Sequence, residues 1–361
     1  MPDHLFSPLT LRGATIPNRV TVSPMCMYSC EARDGLATEF HHVHLGSRAS
    51  GGAGLVLTEA TAVTPRGRIT PEDLGIWSPE HADALAPITD FVRSQGSVPG
   101  IQLAHAGRKG SKTRPWEGGA PLGPDEGGWA TPAPSDVPWP SDEPPELEVL
   151  TTDRIKAIER AFVDAAEHSL RAGFDVIELH AAHGYLFHEF LSPHTNHRDD
   201  AYGGSFKNRS RIVVETVEAI REVWPAEKPL LVRVSATDWL GEDAWTADQT
   251  VRLAERLKPA GVDLVDVSAG ALDPTQEIPH TGPGYQVPFA ERVRSEAGVP
   301  VGPVGGITAP EYADALVRNG RADLVVVGRE HLRDPYFALH AAEKLGQEDA
   351  VSWPDQYDYA V

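Results

Sequence analysis

Eight short apolar runs, rich in β-branched residues, alternate with longer stretches of helical period along this chain of 361 residues. The alternation is typical of parallel strands joined by crossover helices. The predicted strands are residues 19–23, 54–59, 98–103, 176–180, 230–235, 264–268, 301–304 and 324–327. The predicted helices are residues 39–50, 79–94, 151–172, 210–223, 247–259, 288–297, 310–319 and 331–344. Since eight such units close a parallel sheet on itself, we expect one TIM-type (β/α)8 barrel domain over residues 1–361.

An open, doubly wound sheet is the main alternative to a closed barrel. Such a sheet carries a G-x-G-x-x-G turn directly after an early strand, where it binds a dinucleotide. The glycine-rich run Gly51-Gly-Ala-Gly54 lies before a predicted strand instead. We therefore reject the dinucleotide-binding open sheet.

A proline-rich segment, residues 110–150, interrupts the alternation after the third predicted strand. It contains nine prolines together with Trp116, Trp129 and Trp139, and it has no convincing helical period. Loops longer than about 15 residues in a compact domain are usually functional or disordered. Because this one follows the carboxyl end of a strand, we expect a cap over the barrel mouth, where active sites form. A flexible insertion is the alternative.

Charge and hydropathy restrict the partners of the chain. It carries 52 acidic and 32 basic residues, a net charge of -20 that repels nucleic acid and anionic lipid surfaces. No stretch approaches the roughly 18 apolar residues of a membrane span, and the start lacks the order of a signal peptide. We expect a cytoplasmic protein whose partners are small molecules, with neither nucleic acid nor membrane among them.

Cys26 and Cys30 are the two cysteines of the chain. An iron–sulfur cluster or an all-thiolate zinc site needs four such ligands. A disulfide is unusual in a cytosolic protein. We expect both cysteines as reduced thiols and no metal.

Residues at the carboxyl ends of barrel strands converge on one opening. Those expected there are Ser23, Pro24, Met25, Cys26, Tyr28, Glu59, Ala60, Gln102, His105, Lys109, His180, His183, Tyr185, Arg233, Gly305, Gly306, Gly328 and Arg329. So many polar and reactive groups at one rim predict an active site.

The segment His180-Ala-Ala-His183-Gly-Tyr185 places two imidazoles three residues apart, with a phenol close behind. Three interpretations are open. The histidines are two ligands of a metal site, although no third ligand follows at a spacing typical of zinc enzymes. They are core residues without chemistry. Or they are a pair of donors that hold a substrate oxygen, with Tyr185 as proton donor, the interpretation we favour.

A glycine pair and a glycine–arginine pair follow the last two strands and point to a phosphate. Gly305-Gly306 and Gly328-Arg329 lie where barrels often hold a phosphorylated cofactor between backbone amides, although turn glycines are the simpler interpretation. Arg233 places a fixed charge in the mouth, where either a reduced flavin or a salt bridge to Glu59 or Glu178 would balance it. Gln102 would read the pyrimidine edge of such a flavin, or is a satisfied polar residue.

Several ordered motifs stand out along the chain. They are Val22-Ser-Pro-Met-Cys26-Met-Tyr28-Ser, His180-Ala-Ala-His183-Gly-Tyr185-Leu with Phe190-Leu-Ser-Pro193, Tyr202-Gly-Gly-Ser205 with Asn208-Arg209, and Val327-Gly-Arg329. With these motifs the sequence resembles the Old Yellow Enzyme family over residues 5 to about 357. The Cys26 and Tyr28 arrangement is similar to the thermophilic-like subclass, which includes xenobiotic reductases.

The resemblance implies a non-covalent FMN, reduced by NADPH or NADH, that reduces electron-poor alkenes such as enones or nitroalkenes. It makes the chain a flavin oxidoreductase of the NADPH dehydrogenase or enoate reductase type. It implies that His180 and His183 bind the activating oxygen, that Tyr185 protonates the α-carbon, and that Cys26 adjusts the flavin. It implies that Tyr28 and Lys109 line the substrate pocket. The residues implied for FMN are Ser23, Pro24, Met25, Cys26, Ala60, Gln102, Arg233, Gly305, Gly306, Gly328 and Arg329.

The C-terminal tail, residues 347–361, departs from that subclass. Members commonly lend an arginine from this region to a neighbouring subunit, and this chain has none there. Tyr359 or Trp353 would take its place, or the shared site is absent. A homo-oligomer, a dimer or a tetramer, is still expected.

Two other functions stay open. One is a flavin barrel that acts on another bond, a dienoyl thioester or an amine, although relatives of that kind carry an added cysteine cluster and further domains. The other is a flavin-binding barrel without turnover, which the complete set of His180, His183 and Tyr185 argues against.

Overall fold

The computed structural model describes residues 3–360. Its strands are β1 Leu9–Leu11, β2 Ala14–Ile16, β3 Val20–Val22, β4 Leu55–Ala62, β5 Val98–Ala104, β6 Thr131–Ala133, β7 Leu147–Val149, β8 Val176–Ala181, β9 Leu230–Ser235, β10 Leu264–Ser268, β11 Val301–Pro303 and β12 Val325–Val327. Its α-helices are α1 Glu39–Ser50, α2 Pro79–Ser94, α3 Thr152–Arg171, α4 Leu186–Leu191, α5 Phe206–Arg209, α6 Arg211–Val223, α7 Ala247–Ala260, α8 Val287–Arg292, α9 Pro310–Arg318, α10 Arg329–Arg333 and α11 Phe337–Lys344.

Eight of the strands form one parallel sheet, in the order β11-β10-β9-β8-β5-β4-β3-β12. A parallel bridge between Val304 and Val326 joins the two ends of that order. The sheet is therefore a nearly closed barrel, and the predicted TIM-type fold is confirmed. Every residue of β8, β9 and β10 is buried, as expected of strands that have side chains on one face and helices on the other.

The helices pack outside the barrel through one apolar face each. In α3 the buried residues Ile155, Ile158, Phe162 and Ala165 recur at the helical spacing of three and four. Phe162 stacks on Phe187 with ring centroids 4.7 Å apart, which ties the outer layer to the segment after β8. Within residues 3–360, the helices are all too short or too polar to cross a membrane.

Most predicted elements agree with the structure, but the predicted helix over residues 331–344 is wrong. The chain forms α10 and α11 with a break at Asp334–Tyr336 instead. Pro335 explains the break, because proline has no N–H and clashes with the preceding turn of a helix. The predicted helix over residues 288–297 is α8 followed by a wider π-helical turn at Val293–Ala297.

The proline-rich segment, residues 110–150, lies over the carboxyl ends of the strands. β6 and β7 within it pair in parallel, and short 3₁₀ turns occur at Pro115–Glu117 and Pro124–Glu126. The Arg108 side chain donates to the carbonyls of Val137 and Pro138 at 3.2 and 3.1 Å. These bonds hold the segment against the barrel, in agreement with the capping excursion expected after the third barrel strand.

Candidate active site

The segment after β3 is held in place by a buried carboxylate. The Met27 N–H donates to Glu59 Oε2 at 2.9 Å, and Glu59 lies on the neighbouring strand β4. Tyr28 has the left-handed φ of 51°, an unusual conformation for a non-glycine residue. The turn presents Cys26 and Tyr28 at the mouth, where burial raises the pKa of both side chains above their ordinary values. Both groups are thus protonated at neutral pH.

His180 and His183 face each other at the end of β8. His180 Nε2 lies 3.4 Å from His183 Nδ1, and the two rings are nearly perpendicular, at 89°. The Ala182 N–H donates to His180 Nδ1 at 3.2 Å, which leaves the proton of His180 on Nε2. Burial, and then the charge of Arg233, lowers the pKa of both imidazoles well below the ordinary value. The pair is neutral, and two of its ring nitrogens point at one place.

The other nitrogen of His183 bonds to a chain of polar side chains. His183 Nε2 lies 2.7 Å from Ser268 Oγ. The Ser268 hydroxyl donates to Gln286 Oε1 at 3.2 Å, and Gln286 Nε2 donates to the Val304 carbonyl at 2.7 Å. With its proton directed at Gln286, the serine oxygen accepts from His183 Nε2–H, and His183 Nδ1 is then an acceptor. Donation from Nδ1 requires the serine hydroxyl to turn toward the histidine.

Tyr185 packs on the same histidine pair. Its ring meets the His180 ring edge to face, with centroids 5.0 Å apart. The Lys109 ammonium lies 5.1 Å from the Tyr185 ring centroid. Burial raises the pKa of the Tyr185 phenol well above the ordinary value. The phenol is a proton donor and not a phenolate at neutral pH.

Lys109 is fixed by backbone carbonyls and an indole. Its Nζ donates to the carbonyls of His183 and Ala271 at 2.7 and 2.8 Å. The same atom lies 4.5 Å from the ring centroid of Trp139, in the capping segment. Burial lowers the pKa of Lys109 to about 7, with smaller effects from the charges of Lys112 and Arg108. Lys109 therefore supports the loop that carries His183 and borders the site.

Arg233 lies in the barrel mouth, with its charge balanced by Asp266. Its Nη1 donates to Ser23 Oγ at 3.3 Å. Its Nε lies 3.3 Å from Asp266 Oδ2 without forming a hydrogen bond. The predicted alternative of a salt bridge to Glu59 or Glu178 is thus wrong in its partner, because β10, and not β4 or β8, supplies the carboxylate.

Gln102 is buried near the same level of the barrel as Arg233 and Asp266. Its Nε2 donates to Glu178 Oε1 at 2.7 Å, across the paired strands β5 and β8. Burial and the nearby charge of Asp266 raise the pKa of Glu178, so this carboxyl holds a proton near neutral pH. Ala60 is the register partner of Gln102 on β4, which brings both residues to the same level of the mouth.

The glycine turns after β11 and β12 border a cavity of about 320 Å³, lined also by Met25. Gly305 and Gly306 have φ values of 116° and 67°, which favour glycine. A Cβ on Gly305 would lie 2.5 Å from Gln286 Nε2. Gly328 and the exposed Arg329 complete the wall. The structure therefore brings the predicted phosphate-binding residues together around one space.

A second cavity, of about 390 Å³, opens beside Tyr185. Tyr28 and Lys109 line it. Lys112 and Trp139 line it too, and the sequence did not single out Lys112. Its volume lies in the range typical of small-molecule pockets, about 300–1,000 Å³.

The cysteines, His105 and Trp353 were also singled out in the sequence. Cys26 and Cys30 are free thiols, and Cys30 is buried. His105 is buried, and its Nδ1 accepts from the Gly107 N–H. Across residues 3–360, no three or more His, Cys, Asp or Glu side chains are arranged to hold a metal ion. Trp353 stacks on Tyr336 of its own chain at 5.8 Å.

The comparison with known families decides the identity of this arrangement. Residues 4–348 match the model of the NADH:flavin oxidoreductase / NADH oxidase family. The chain belongs to this family. It is an oxidoreductase with FMN as its cofactor and NADPH or NADH as its electron donor, and its resemblance to the Old Yellow Enzyme family is confirmed. The narrower likeness to the thermophilic-like subclass stays a prediction.

Similar proteins cover the chain from end to end. A curated NADPH dehydrogenase of Bacillus pumilus is 48% identical over 361 residues, 100% of each chain. A solved Old Yellow Enzyme homologue from Zymomonas mobilis is 26% identical, with a TM-score of 0.79 over 98% of both chains. Histamine dehydrogenase from Rhizobium sp. 4-9 is 29% identical with a TM-score of 0.79, over 96% of this chain but 48% of that one.

Two features of the site fit an FMN of this family. Among the described residues the Arg233 side chain makes one hydrogen bond, from Nη1 to Ser23 Oγ, so the guanidinium keeps donors for a further acceptor. Such a donor matches the electron-rich N1 and C2-carbonyl region of a flavin. The 320 Å³ cavity is lined by three glycines and by Arg329, whose guanidinium can donate hydrogen bonds to a phosphate. The residues present therefore fit the cofactor.

Proposed function

We propose that this chain is an FMN-dependent ene-reductase, which reduces the carbon–carbon double bond of an α,β-unsaturated carbonyl or nitro compound. The observation that carries the proposal is the convergence of His180 Nε2 and His183 Nδ1, 3.4 Å apart and beside the Tyr185 ring. An oxygen between these nitrogens would lie next to a phenol. These are the groups that addition of hydride and proton across an activated alkene requires.

The histidine pair would bind and polarise the activating oxygen. Negative charge grows on that oxygen when hydride reaches the β-carbon, and preorganised donors lower the barrier by a few kcal/mol, about 3 for one donor. His180 Nε2 carries a proton, because His180 Nδ1 accepts from the Ala182 N–H. His183 Nδ1 becomes the second donor once the Ser268 hydroxyl turns and donates to His183 Nε2.

Tyr185 would deliver the proton to the α-carbon. Its raised pKa keeps the phenol protonated until the carbanion forms. Lys109 holds the carbonyl of His183 and packs on the Tyr185 ring, so it would position both groups. Tyr28 would line the same pocket.

When bound, FMN supplies the hydride that NADPH or NADH has delivered to it. The residues that would hold its ring and ribityl chain are Ser23, Pro24, Met25, Cys26, Ala60, Gln102 and Arg233. Gly305, Gly306, Gly328 and Arg329 would hold the phosphate. We further propose that residues 1–361 work as one domain, with residues 110–150 as the cap.

A homo-oligomer in the cytoplasm is the proposed form of the enzyme. Exposed apolar side chains support association: Phe40 and Val43 on α1 are 49% and 68% exposed, and Tyr359 in the tail is 92% exposed. The tail extends past the described residues to Val361. Sedimentation of the FMN-loaded protein would separate a monomer from a dimer or tetramer.

The test separates the two half-reactions. Anaerobic mixing with NADPH should bleach the flavin, and 2-cyclohexenone should restore its colour. For Tyr185→Phe we expect reoxidation by the enone to slow by about 10²–10⁴-fold, because a general acid contributes that much. Flavin reduction by NADPH should change little. Tyr28→Phe is the matched control, since it removes the other phenol of the same cavity.

Other results would favour the alternative functions. If Tyr185→Phe slows both half-reactions equally, the proton-donor role is wrong. If the flavin bleaches but no activated alkene restores it, while an amine or a dienoyl thioester reacts, the barrel acts on another bond. The histamine dehydrogenase named above, whose other half lies outside the match, makes that alternative worth testing. Protein that binds FMN without any turnover is a non-catalytic barrel.

A further inference from the structure

Two lysine side chains line the 390 Å³ cavity beside Tyr185, and they differ in their hydrogen-bond acceptors. Lys109 and Lys112 both line this space. Lys109 Nζ has two carbonyl acceptors, those of His183 and Ala271. Lys112 Nζ has none within residues 3–360, and its one notable contact is the Trp139 ring centroid at 5.7 Å. An unpaired cation thus lies on the wall of the proposed substrate pocket.

Two backbone contacts fix the position of Lys112. Its N–H donates to the Ile69 carbonyl at 3.2 Å, which joins the capping segment to the loop after β4. Lys112 also pairs with Pro121 in an isolated antiparallel bridge. The ammonium therefore extends from an anchored position and not from a free loop.

The Asp73 carboxylate does not neutralise Lys112. Its charge raises the pKa of Lys112, but no ion pair joins the two side chains. The Asp73 oxygens accept from the N–H groups of Ile69 and Thr70 and from the Thr70 hydroxyl, at 2.6 to 3.0 Å. Arg114, nearby in sequence, is by contrast paired with Glu31 and Glu117. Lys112 is left with hydrogen-bonding capacity toward the cavity.

Because the whole chain is strongly acidic, a positively charged pocket wall is unusual in it. A net charge of -20 repels anionic ligands over most of the surface. A pocket wall with two lysines is a local exception, and burial lowers the pKa of Lys112, which an anionic partner would offset. A half-buried, unpaired ammonium is stabilised when an anion reaches it.

We propose that Lys112 binds a carboxylate carried by the alkene substrate, at a part of the molecule away from the reacting double bond. This inference rests on the proposed ene-reductase function and narrows it to acidic alkenes. Lys112 is then a specificity residue: it contacts the substrate but takes no part in hydride or proton transfer.

Two maleimides that differ in one charge test the proposal. In 4-maleimidobutyrate the carboxylate is separated from the ring by methylenes, so its methyl ester has nearly the same intrinsic reactivity. We expect the parent enzyme to favour the acid by about tenfold in kcat/KM, the effect of one charge-assisted hydrogen bond. In Lys112→Gln the ratio should fall to about one. In Lys112→Glu the ester should become the better substrate.

A matched control removes an exposed lysine elsewhere. Lys207→Gln changes the net charge by the same amount at an exposed position of α5 that does not line the cavity, and it should keep the ratio of the parent. A parent without preference for the acid, or a Lys112→Gln variant that retains it, would overturn the proposal. A raised KM for NADPH in Lys112→Gln, with the acid-to-ester ratio unchanged, would assign the cation to the nucleotide phosphate and overturn it too.

Binding without turnover separates this inference from the function on which it rests. The saturated analogues, 4-succinimidobutyrate and its methyl ester, cannot be reduced. Calorimetry on the FMN-loaded enzyme should give a Kd about tenfold lower for the acid, and the difference should vanish in Lys112→Gln. If neither maleimide is reduced but this difference is present, the ene-reductase function fails and the anion site stands. Equal Kd values mean that the anion site fails.

Discussion

At the scale of single residues, His183 must change its tautomer before both histidines can donate to a substrate oxygen. Both of its ring nitrogens have partners, His180 on one side and Ser268 on the other. Its backbone has the left-handed φ of 59°, a conformation that strains a non-glycine residue. Ser268 determines which nitrogen carries the proton, so it is a positioning residue.

We expect Ser268→Ala to slow reoxidation of the flavin by an enone by about three- to tenfold, because the loss of one hydrogen bond leaves His183 Nε2 buried and unpaired. Stopped-flow absorbance would measure both half-reactions. Ser268→Thr retains a hydroxyl and should restore most of the rate. If alanine and threonine behave alike, packing and not the hydroxyl is responsible.

The sequence predicted the residues that follow strands and missed those that come from loops. His180, His183 and Arg233 were found because they lie at the ends of apolar runs, where barrel geometry requires convergence. Lys112 and Gln286 belong to irregular segments, and only the folded backbone places them beside the site. Ser268, the last residue of the predicted strand over residues 264–268, was a signal that could have been used.

At the scale of elements, the strands were the easiest to predict. The runs Leu230–Ser235 and Leu264–Ser268 agree with the structure at both ends, because buried parallel strands are nearly continuous apolar segments. The helices α4 and α5 were missed, since four to six residues are too few to show a helical period. The pairing of β6 with β7 depends on tertiary contacts that no local pattern shows.

The turn between β11 and α9 offers a test of the phosphate site. Gly305→Ala combines a φ of 116° with a Cβ that would lie 3.0 Å from the Tyr285 ring and closer still to Gln286. We expect FMN affinity to fall by tenfold or more, since strain of about 1–2 kcal/mol adds to the clash. Fluorescence quenching of added FMN would give the Kd.

Gly346→Ala is the control for that substitution. Gly346 also has a positive φ, 64°, but a Cβ there would meet no atom within 4 Å. It should lower stability slightly and leave the Kd for FMN unchanged. Equal losses of FMN affinity in both variants would assign the effect to global destabilisation and not to the turn.

At the scale of the whole molecule, buried carboxyls link stability to pH. Glu189 is fully buried, with Oε1 accepting from the Arg108 N–H at 2.9 Å. Burial raises the pKa of Glu189 from 4.5 to about 8. The folded chain therefore holds a proton that the unfolded chain releases above about pH 4.5. The resulting stabilisation is complete below that pH and is lost as the pH rises through about 8.

Between pH 5.5 and pH 8.5 we expect the free energy of unfolding to fall less in Glu189→Gln than in the parent. The difference between the two slopes should be at most about 1.4 kcal/mol per pH unit. Urea unfolding at the two pH values would measure it through the midpoints. Glu255→Gln, at an exposed position of α7, should show the slope of the parent. A Glu189→Gln slope equal to that of the parent would mean that Glu189 stays ionised when buried.

Arg108 has a consequence for how substrates reach the flavin. This buried guanidinium bonds to the carbonyls of Val137 and Pro138 in the capping segment and to that of Leu272 after β10. Lifting the capping segment away from the barrel would remove two of these three acceptors, the carbonyls of Val137 and Pro138, from a buried cation. Because the loss of these bonds opposes opening of the capping segment, we expect substrates to enter through the 390 Å³ cavity that Tyr28 and Trp139 line.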